Sequence, residues 1–490
     1  MLADFKTLLR HSLIYGAGVA LGRAVGLFMV PIYTRYLSTA QYGTLELLSK
    51  SGELLGLVGA LGFISALPRF YYEYSEARTQ RAVVSTGIIL CLTVSCTIAA
   101  TLMPLGHWLS ALVIGDPAYA GLCRLLLVTV AFDIGVLLPL TYLRIERRSV
   151  LYTIVNVLRL VISLSLNIYL IVGLRWGVAG ALWSGAITTV TLSLALVTWT
   201  LTRTGLRFDW RLAGAMARYG LPLIPASLCL LVIQAADRFF LGRLAGLPAV
   251  GVYSLGFKFG SMLQVLITGP LMLIWTTYIF EIAKRPNAPH VYGRALTYYA
   301  LAAAAFALPL SIFGRQLLAV VATVSFLPAY HVIVWVALGF TLAGAASIME
   351  VGIYLKRRTE LRALTMALAA VVSLALNALL VPRLGAMGSA WALVGSYGSL
   401  AALTYAISRR LFPVPYEPWR LLKLAVVVVA AYLTAEWLDA MVMPGLTLAA
   451  LKVGLLVAVL PALYALRFFL PAELAAVSRL LRRRPAEVSG

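Results

Sequence analysis

Apolar windows of about 20 or more residues recur from one end of this 490-residue chain to the other, each long enough to cross a hydrocarbon core of about 30 Å. A soluble protein of this length could bury one large core but could not hide so many separate apolar segments. The chain is 62% hydrophobic and 12% charged, against a soluble average of about 25% charged. It reads as an all-α polytopic membrane protein.

The pattern also comes round twice. Arg147-Arg148-Ser149 opens an apolar stretch with Asn167, then Gly180 and Trp183. Arg357-Arg358-Thr359 opens another, with Asn377, Gly388 and Trp391. The offset is 210 at first and 208 after a shorter loop. Arg35, Tyr42-Gly43 and Lys50 are echoed at offset 208 by Arg243, Val250-Gly251 and Lys258. Duplicated bundles of this kind recur in membrane transporters, with the substrate site at the repeat interface.

Hydropathy predicts 14 spans, at 12–36, 46–67, 82–104, 121–143, 150–172, 178–201, 219–242, 250–280, 291–313, 329–352, 362–382, 388–408, 421–441 and 446–470. The expected organisation is an N-lobe over 1–210 (spans one to six), a C-lobe over 211–415 (spans seven to twelve) and spans thirteen and fourteen over 416–470. A basic cytoplasmic tail occupies 471–490, placed either along an anionic leaflet or as a disordered segment. An even number of spans per half predicts a pseudo-twofold axis along the membrane normal. The ladder Gly18-x-x-x-Gly22-x-x-x-Gly26 in the first span suits tight helix packing.

The net charge of +22 is a topology signal, and its distribution argues against nucleic acid. Sorted by alternate loops, roughly 28 of the 40 Lys and Arg fall on the side that carries Lys6 and Arg10, and about 5 on the other. The positive-inside rule then places both termini in the cytoplasm. Cys91, Cys96, Cys123 and Cys229 lie in or beside apolar runs without CxxC spacing and read as small core residues.

Charges inside spans are functional hypotheses because they are costly to keep there. Arg23 lies about eleven residues into the first span, roughly 16 Å deep, and Arg159 is similarly placed in span five. Lys50 and Lys258 take equivalent places in spans two and eight. Facing them are the carboxylates Asp133, Glu53 and Glu350, candidates for a coupling ion or for structural pairing. Two readings compete. In one, each cation pairs with a carboxylate, as Lys50 would with Glu53 one turn away. In the other, Arg23, Arg159, Lys50 and Lys258 line an aqueous cavity and receive an anionic substrate, Arg offering phosphate a bidentate fork and Lys a point charge. Asp237 beside Arg238 reads as a local structural pair.

Several chemistries are missing from the sequence. It has no P-loop, no HExxH and no Cys/His cluster, so neither metal nor cofactor is expected. A membrane glycosyltransferase or polymerase would need a base or metal-binding carboxylates on the outer face, where the loops are short and Asp116 is the clearest acid.

Leu13 to Lys50 resembles the oligosaccharide flippase family, the Wzx-like polysaccharide transporters of the MOP superfamily. The residues that carry this are Tyr15-Gly16, Pro31-Ile32-Tyr33-Thr34-Arg35-Tyr36-Leu37 and Gln41-Tyr42-Gly43. Tyr219-Gly220-Leu221-Pro222-Leu223-Ile224-Pro225 and Asp237-Arg238-Phe239-Phe240-Leu241-Gly242 resemble it too. The resemblance implies a V-shaped pair of six-helix lobes in a bacterial inner membrane. It would move undecaprenyl-pyrophosphate-linked oligosaccharide to the periplasmic leaflet by alternating access, among membrane lipids and beside polymerase or glycosyltransferase machinery. The alternatives are a lipid II-type flippase or a multidrug antiporter of the same superfamily. None of these readings makes the chain an enzyme.

The charge asymmetry generates a test. An Arg358→Cys variant should stay unlabelled by an impermeant thiol reagent added outside intact cells and react once the membrane is opened. Labelling in intact cells would reverse the topology.

Overall fold

The computed structural model describes residues 29–441, 444–471 and 473–475, all helix and short connections, with no strand among the described residues. Most of the expected first span, including Arg23 and the glycine ladder, lies outside them, as does the basic tail beyond residue 475. A short helix, α1 (Val30–Tyr36), closes the first span. Thirteen helices long and apolar enough to cross a membrane follow it. They are α2 (Thr39–Glu73), α3 (Ala77–Leu102), α4 (Pro117–Ile145), α5 (Ser149–Gly173), α6 (Gly177–Thr204), α7 (Trp210–Leu244) and α8 (Leu247–Thr276), then α9 (Ala288–Ile312), α10 (Val324–Leu355), α11 (Thr359–Leu384), α12 (Ala386–Leu411), α13 (Pro418–Ala440) and α14 (Gly445–Ala465). Each overlies one span expected from hydropathy, so the chain is an all-α, multi-pass membrane protein. Each of the thirteen starts before its expected span, while α3, α8, α9, α13 and α14 end short of theirs.

Local chemistry sets the ends. Ser38 caps α2: its hydroxyl accepts from the Gln41 amide at 3.2 Å, while the Gln41 side chain accepts from the Ser38 amide at 3.0 Å. This capping box satisfies two of the donors that open a helix. At the other end, the Arg-Arg pairs that mark the repeat form one kind of turn. Arg147 and Arg357 sit at φ 56°, and the next amide reaches back five residues, Arg148 to the Leu143 carbonyl at 2.9 Å and Arg358 to Ile353 at 3.0 Å. Glycine is the usual occupant of such a left-handed cap; arginine accepts strain of about 1 kcal/mol and places its charge by the negative end of the helix dipole. A third copy at Arg467 (φ 52°), with the Phe468 amide on Leu463 at 2.9 Å, closes α14. Sequence comparison missed it because the second arginine is replaced by Phe468.

The chain divides into two compact units, one of Met1–Phe259, Leu318–Trp335 and Ala363–Leu400, the other of Gly260–Leu317, Val336–Arg362 and Ala401–Gly490. In the first, Phe63, Leu67, Val83, Val84 and Leu138 are buried together with Met216, joining α2, α3, α4 and α7. Here α2 and α8 meet at two glycines that the repeat makes equivalent. A Cβ on Gly43 would strike the Leu247 carbonyl oxygen, and one on Gly251 would strike the Thr39 carbonyl oxygen. Thr39 and Leu247 are themselves 208 residues apart, so the contact has local twofold symmetry. The repeated asparagines, also in this unit, bond alike. Asn167 donates to the Ser163 carbonyl and Asn377 to the Ser373 carbonyl, each at 2.8 Å.

In the second unit, α13 and α14 pack on α9 through Leu308, Ile312, Ala431 and Ala435, with Leu424, Val427, Leu463 and Phe468 alongside. Buried charge fixes the pair. Lys452 is fully buried and donates to Asp439 at 2.7 Å, the Ile312 carbonyl at 2.8 Å and Gln316 at 3.3 Å, filling its three donor sites. Arg420 donates to Glu417, to both oxygens of Glu473 and to the Phe468 carbonyl. Sequence gave the last two spans no role; here they form an anchored pair.

The glycine contact sets a stability prediction. Gly43→Ala and Gly251→Ala should each destabilise the protein by about 1–3 kcal/mol, the cost of overpacking. Because both side chains would press on one crossing, the double variant should lose less than the sum of the two. Thermal unfolding of the three purified variants measures this; strict additivity would mean the helices are not in contact there.

Candidate functional site

The first unit contains an open cavity of about 690 Å³. Its wall is built from α2 outward. Leu45, Glu46, Ser49, Gly52, Glu53 and Gly56 line it and recur at three- and four-residue intervals, so one stripe of the helix faces the space. Such a stripe would be apolar if it faced lipid. From α4 come Thr129 and Asp133, from α5 Ser163 and Asn167, from α8 Lys258, and before α2 there is Tyr33.

The charges of this wall are arranged in pairs. Lys258 donates to the Tyr42 hydroxyl at 3.0 Å and lies 3.4 Å from Glu46. Lys50 donates to both oxygens of Glu53, at 2.8 and 2.9 Å. Arg159 reaches Asp133 at 3.1 Å. Of the described residues that line the cavity itself, Glu46, Glu53, Asp133 and Lys258 are charged; Lys50 and Arg159 sit behind as the partners of two of them. Asn167 ties the wall together, accepting from the Tyr33 hydroxyl at 3.0 Å and donating to Ser184 at 2.8 Å.

The candidates from sequence are therefore partly assembled. Lys50, Glu53, Asp133, Arg159 and Lys258 come together around one space, while Arg23 lies outside the described residues. Glu350 belongs to the second unit, where it is buried and accepts from Arg362 at 3.1 Å. Asp237 and Arg238 form a pair that is 2% and 1% exposed. Arg238 also donates to the Gln234 carbonyl, the Tyr253 hydroxyl donates to Asp237, and the Phe257 ring lies 3.8 Å from the guanidinium carbon. So dense a set of partners makes this pair structural.

Glu46 is the site residue that sequence reasoning passed over. With the second span placed at 46–67, Glu46 fell at the membrane edge. The helix in fact begins at Thr39, which carries Glu46 about 10 Å along it at 1.5 Å per residue. The signal was present in Ser38-x-x-Gln41, the capping box that marks the true start.

The fold is that of known transporters. The chain superposes on a structure described as lipid II flippase MurJ in an inward closed conformation, with a TM-score of 0.72, 12% identity and coverage of 93% of this chain and 99% of that one. An inward-facing multidrug resistance MATE family transporter of the MOP superfamily gives 0.63, 18%, 79% and 94%. A MOP superfamily transporter from Pyrococcus furiosus, described as having a binding pocket of reversed polarity, gives 0.54, 15%, 82% and 95%. No curated protein matches the chain. Residues 8–282 match the family model described as polysaccharide biosynthesis protein. That match takes in α2 to α8 entire, and with them every charged side chain placed around the cavity, so the chain belongs to the polysaccharide biosynthesis protein family.

Proposed function

We propose that this protein flips a lipid-linked oligosaccharide, carried on undecaprenyl pyrophosphate, from the cytoplasmic to the periplasmic leaflet of a bacterial inner membrane by alternating access. The observation that carries this reading is a cavity with a charged wall inside an otherwise apolar helical bundle of a polysaccharide biosynthesis family member. Hydrocarbon gives such a wall no purpose, whereas a polar cargo on a lipid tail does.

The cations Lys258, Lys50 and Arg159, with Arg23, are the proposed holders of the pyrophosphate. Each of the three described ones already has a carboxylate partner, so binding is an exchange. The pyrophosphate oxygens take the place of Glu46, Glu53 or Asp133, and the carboxylates reclaim the cations once the cargo leaves. Lys258 is the best placed because it lines the cavity. The Tyr42 hydroxyl and Glu46 hold its ammonium in position.

The three carboxylates of the wall favour a second reading, a cation-driven antiporter for cationic compounds. One set of variants separates the two. In a flippase-deficient strain making the cognate glycan, Lys258→Ala should cut export roughly ten- to a hundredfold, the loss of one charge-assisted contact. The double variant Lys258→Ala, Glu46→Gln removes both charges, so it should regain normal protein levels and thermal stability without regaining export. Full export by the double variant at normal levels would reduce Lys258 to a structural partner. Loss of resistance to cationic dyes in Glu46→Gln, with export intact, would select the antiporter.

A further inference from the structure

Two short helices, Gly106–Val113 and Gly314–Val321, stand in connections on the face opposite the Arg-Arg turns. Each has eight residues, and the repeat offset of 208 carries one onto the other from first residue to last. The transport proposal uses neither. Each is held at its C-terminal end by a helix of the other repeat. Arg243, at the end of α7, donates from one terminal nitrogen to the Ala111 and Leu112 carbonyls at 2.6 and 2.7 Å. Its repeat counterpart is Arg35, the neighbour of Thr34 in α1. Thr34 shares its hydroxyl proton between the Val30 carbonyl at 2.9 Å and the Val321 carbonyl at 3.2 Å. The Thr323 hydroxyl in turn donates to the Thr34 carbonyl at 3.0 Å.

The last carbonyls of a helix have no amide of their own helix to accept from, so each grip satisfies groups that would otherwise turn to water. Arg243 also sets its charge against the negative end of a helix dipole. Capping accounts for one such contact. It does not account for the same end of both helices being gripped across the repeat, nor for what adjoins the grip at Thr34. Phe326, three residues past Thr323, is fully buried and meets the Tyr42 ring edge-on at 5.7 Å. Tyr42, equally buried, stands 6.2 Å from the ring of Tyr33, which lines the cavity. A chain of three rings therefore leads from the cavity wall to the segment that Thr34 holds.

We propose that these two grips form a latch on the outer mouth of the cavity, closed in this structure and parted when the cargo leaves. The proposal rests on the alternating-access reading above. The latch is made of contacts that water can replace: Arg243 is exposed, and its acceptors are carbonyls. Contacts made only in the closed form bias the equilibrium toward it, so their removal shifts the population toward the open form.

One arm of the test reads opening without cargo. Ser49→Cys, at an exposed position of the cavity wall, gives a reporter thiol for an impermeant reagent added outside intact cells. Adding Arg243→Ala should speed its labelling about tenfold, and Thr323→Val severalfold, as the loss of one latch contact each. Cys91, buried in the first unit, should stay unlabelled throughout; its labelling would trace the gain to unfolding and overturn the latch. In the second arm, Leu112→Cys with Arg243→Cys is bridged by a reducible bis-thiosulfonate linker of about arginine length. The bridge should stop glycan export in the flippase-deficient strain and a reducing agent should restore it, whereas treating either single variant should change nothing. Unchanged labelling of Ser49→Cys, or full export with the bridge in place, would overturn the latch. Faster labelling in a protein that exports no glycan even unbridged would leave the latch standing and overturn the oligosaccharide cargo instead.

Discussion

Hydrocarbon offers a polar group nothing to bond to, and this chain meets that constraint by giving its intramembrane charges partners of two kinds. One kind is sealed. Arg238 with Asp237, and Lys452 with Asp439, have cations that are 1% and 0% exposed and donate to backbone carbonyls as well as to carboxylates. The other kind is open. The pairs of Lys50 with Glu53, Arg159 with Asp133 and Lys258 with Glu46 keep between 15% and 52% of their side-chain surface accessible, and each contributes at least one member to the lining of one cavity. The sealed pairs hold helices in register, and their loss leaves an uncompensated buried charge. The open pairs keep accessible surface beside the cation, where a second acceptor can approach.

The repeat explains how the cavity obtains its lysine. Helices α2 and α8 cross at Gly43 and Gly251 with the same close backbone contact seen from either side. Bare backbone at that crossing brings α8 near enough for Lys258 to reach Tyr42 and Glu46 of α2. The backbone is symmetric there, but the side chains are not. The counterpart of Glu46 is Ser254, whose hydroxyl is buried without a hydrogen-bond partner among the described residues, and the counterpart of Tyr42 is Val250. Lys50 therefore has no equivalent receptor and turns to Glu53 on its own helix. A symmetric backbone crossing therefore carries a one-sided set of side chains, differing at two of its positions.

Much of this was legible in the sequence, for reasons that differ by residue. Spans were readable because each apolar run is separately long enough to cross a bilayer. The Lys50–Glu53 pair was readable because three residues is one helical turn, and Asp237–Arg238 because the two are adjacent. Asp133 and Arg159 were recognisable as possible partners from depth alone, although they sit on different helices. The partners of Lys258 were out of reach, since they depend on how two helices separated by about 200 residues cross. Glu46 was hidden by a method: hydropathy averages over a window, so it trims the polar first turns of a helix that a capping box defines residue by residue. The anchoring of α13 and α14 was hidden differently, because Lys452 finds a carbonyl and an amide as well as its carboxylate, and neither shows as charge in the sequence.

The division between sealed and open charge gives the proposed transport cycle its energetic footing. Removing one member of a buried pair costs about 3–5 kcal/mol, so Arg238 and Lys452 are poor sites for anything that must come and go. An ion pair with water access, as at Lys50–Glu53 and Arg159–Asp133, contributes about 0–1 kcal/mol, so its carboxylate can be exchanged at little expense. A pyrophosphate brings more acceptor oxygens than the single carboxylate it would replace, which tilts the exchange toward binding while the cargo is present. The carboxylate stays tethered beside the cation, ready to compete when the cargo's contacts loosen. On this view the acidic residues of the wall are part of the anion site: without them the cations would stand uncompensated in the empty protein, and a cavity that bound its cargo too firmly would not release it.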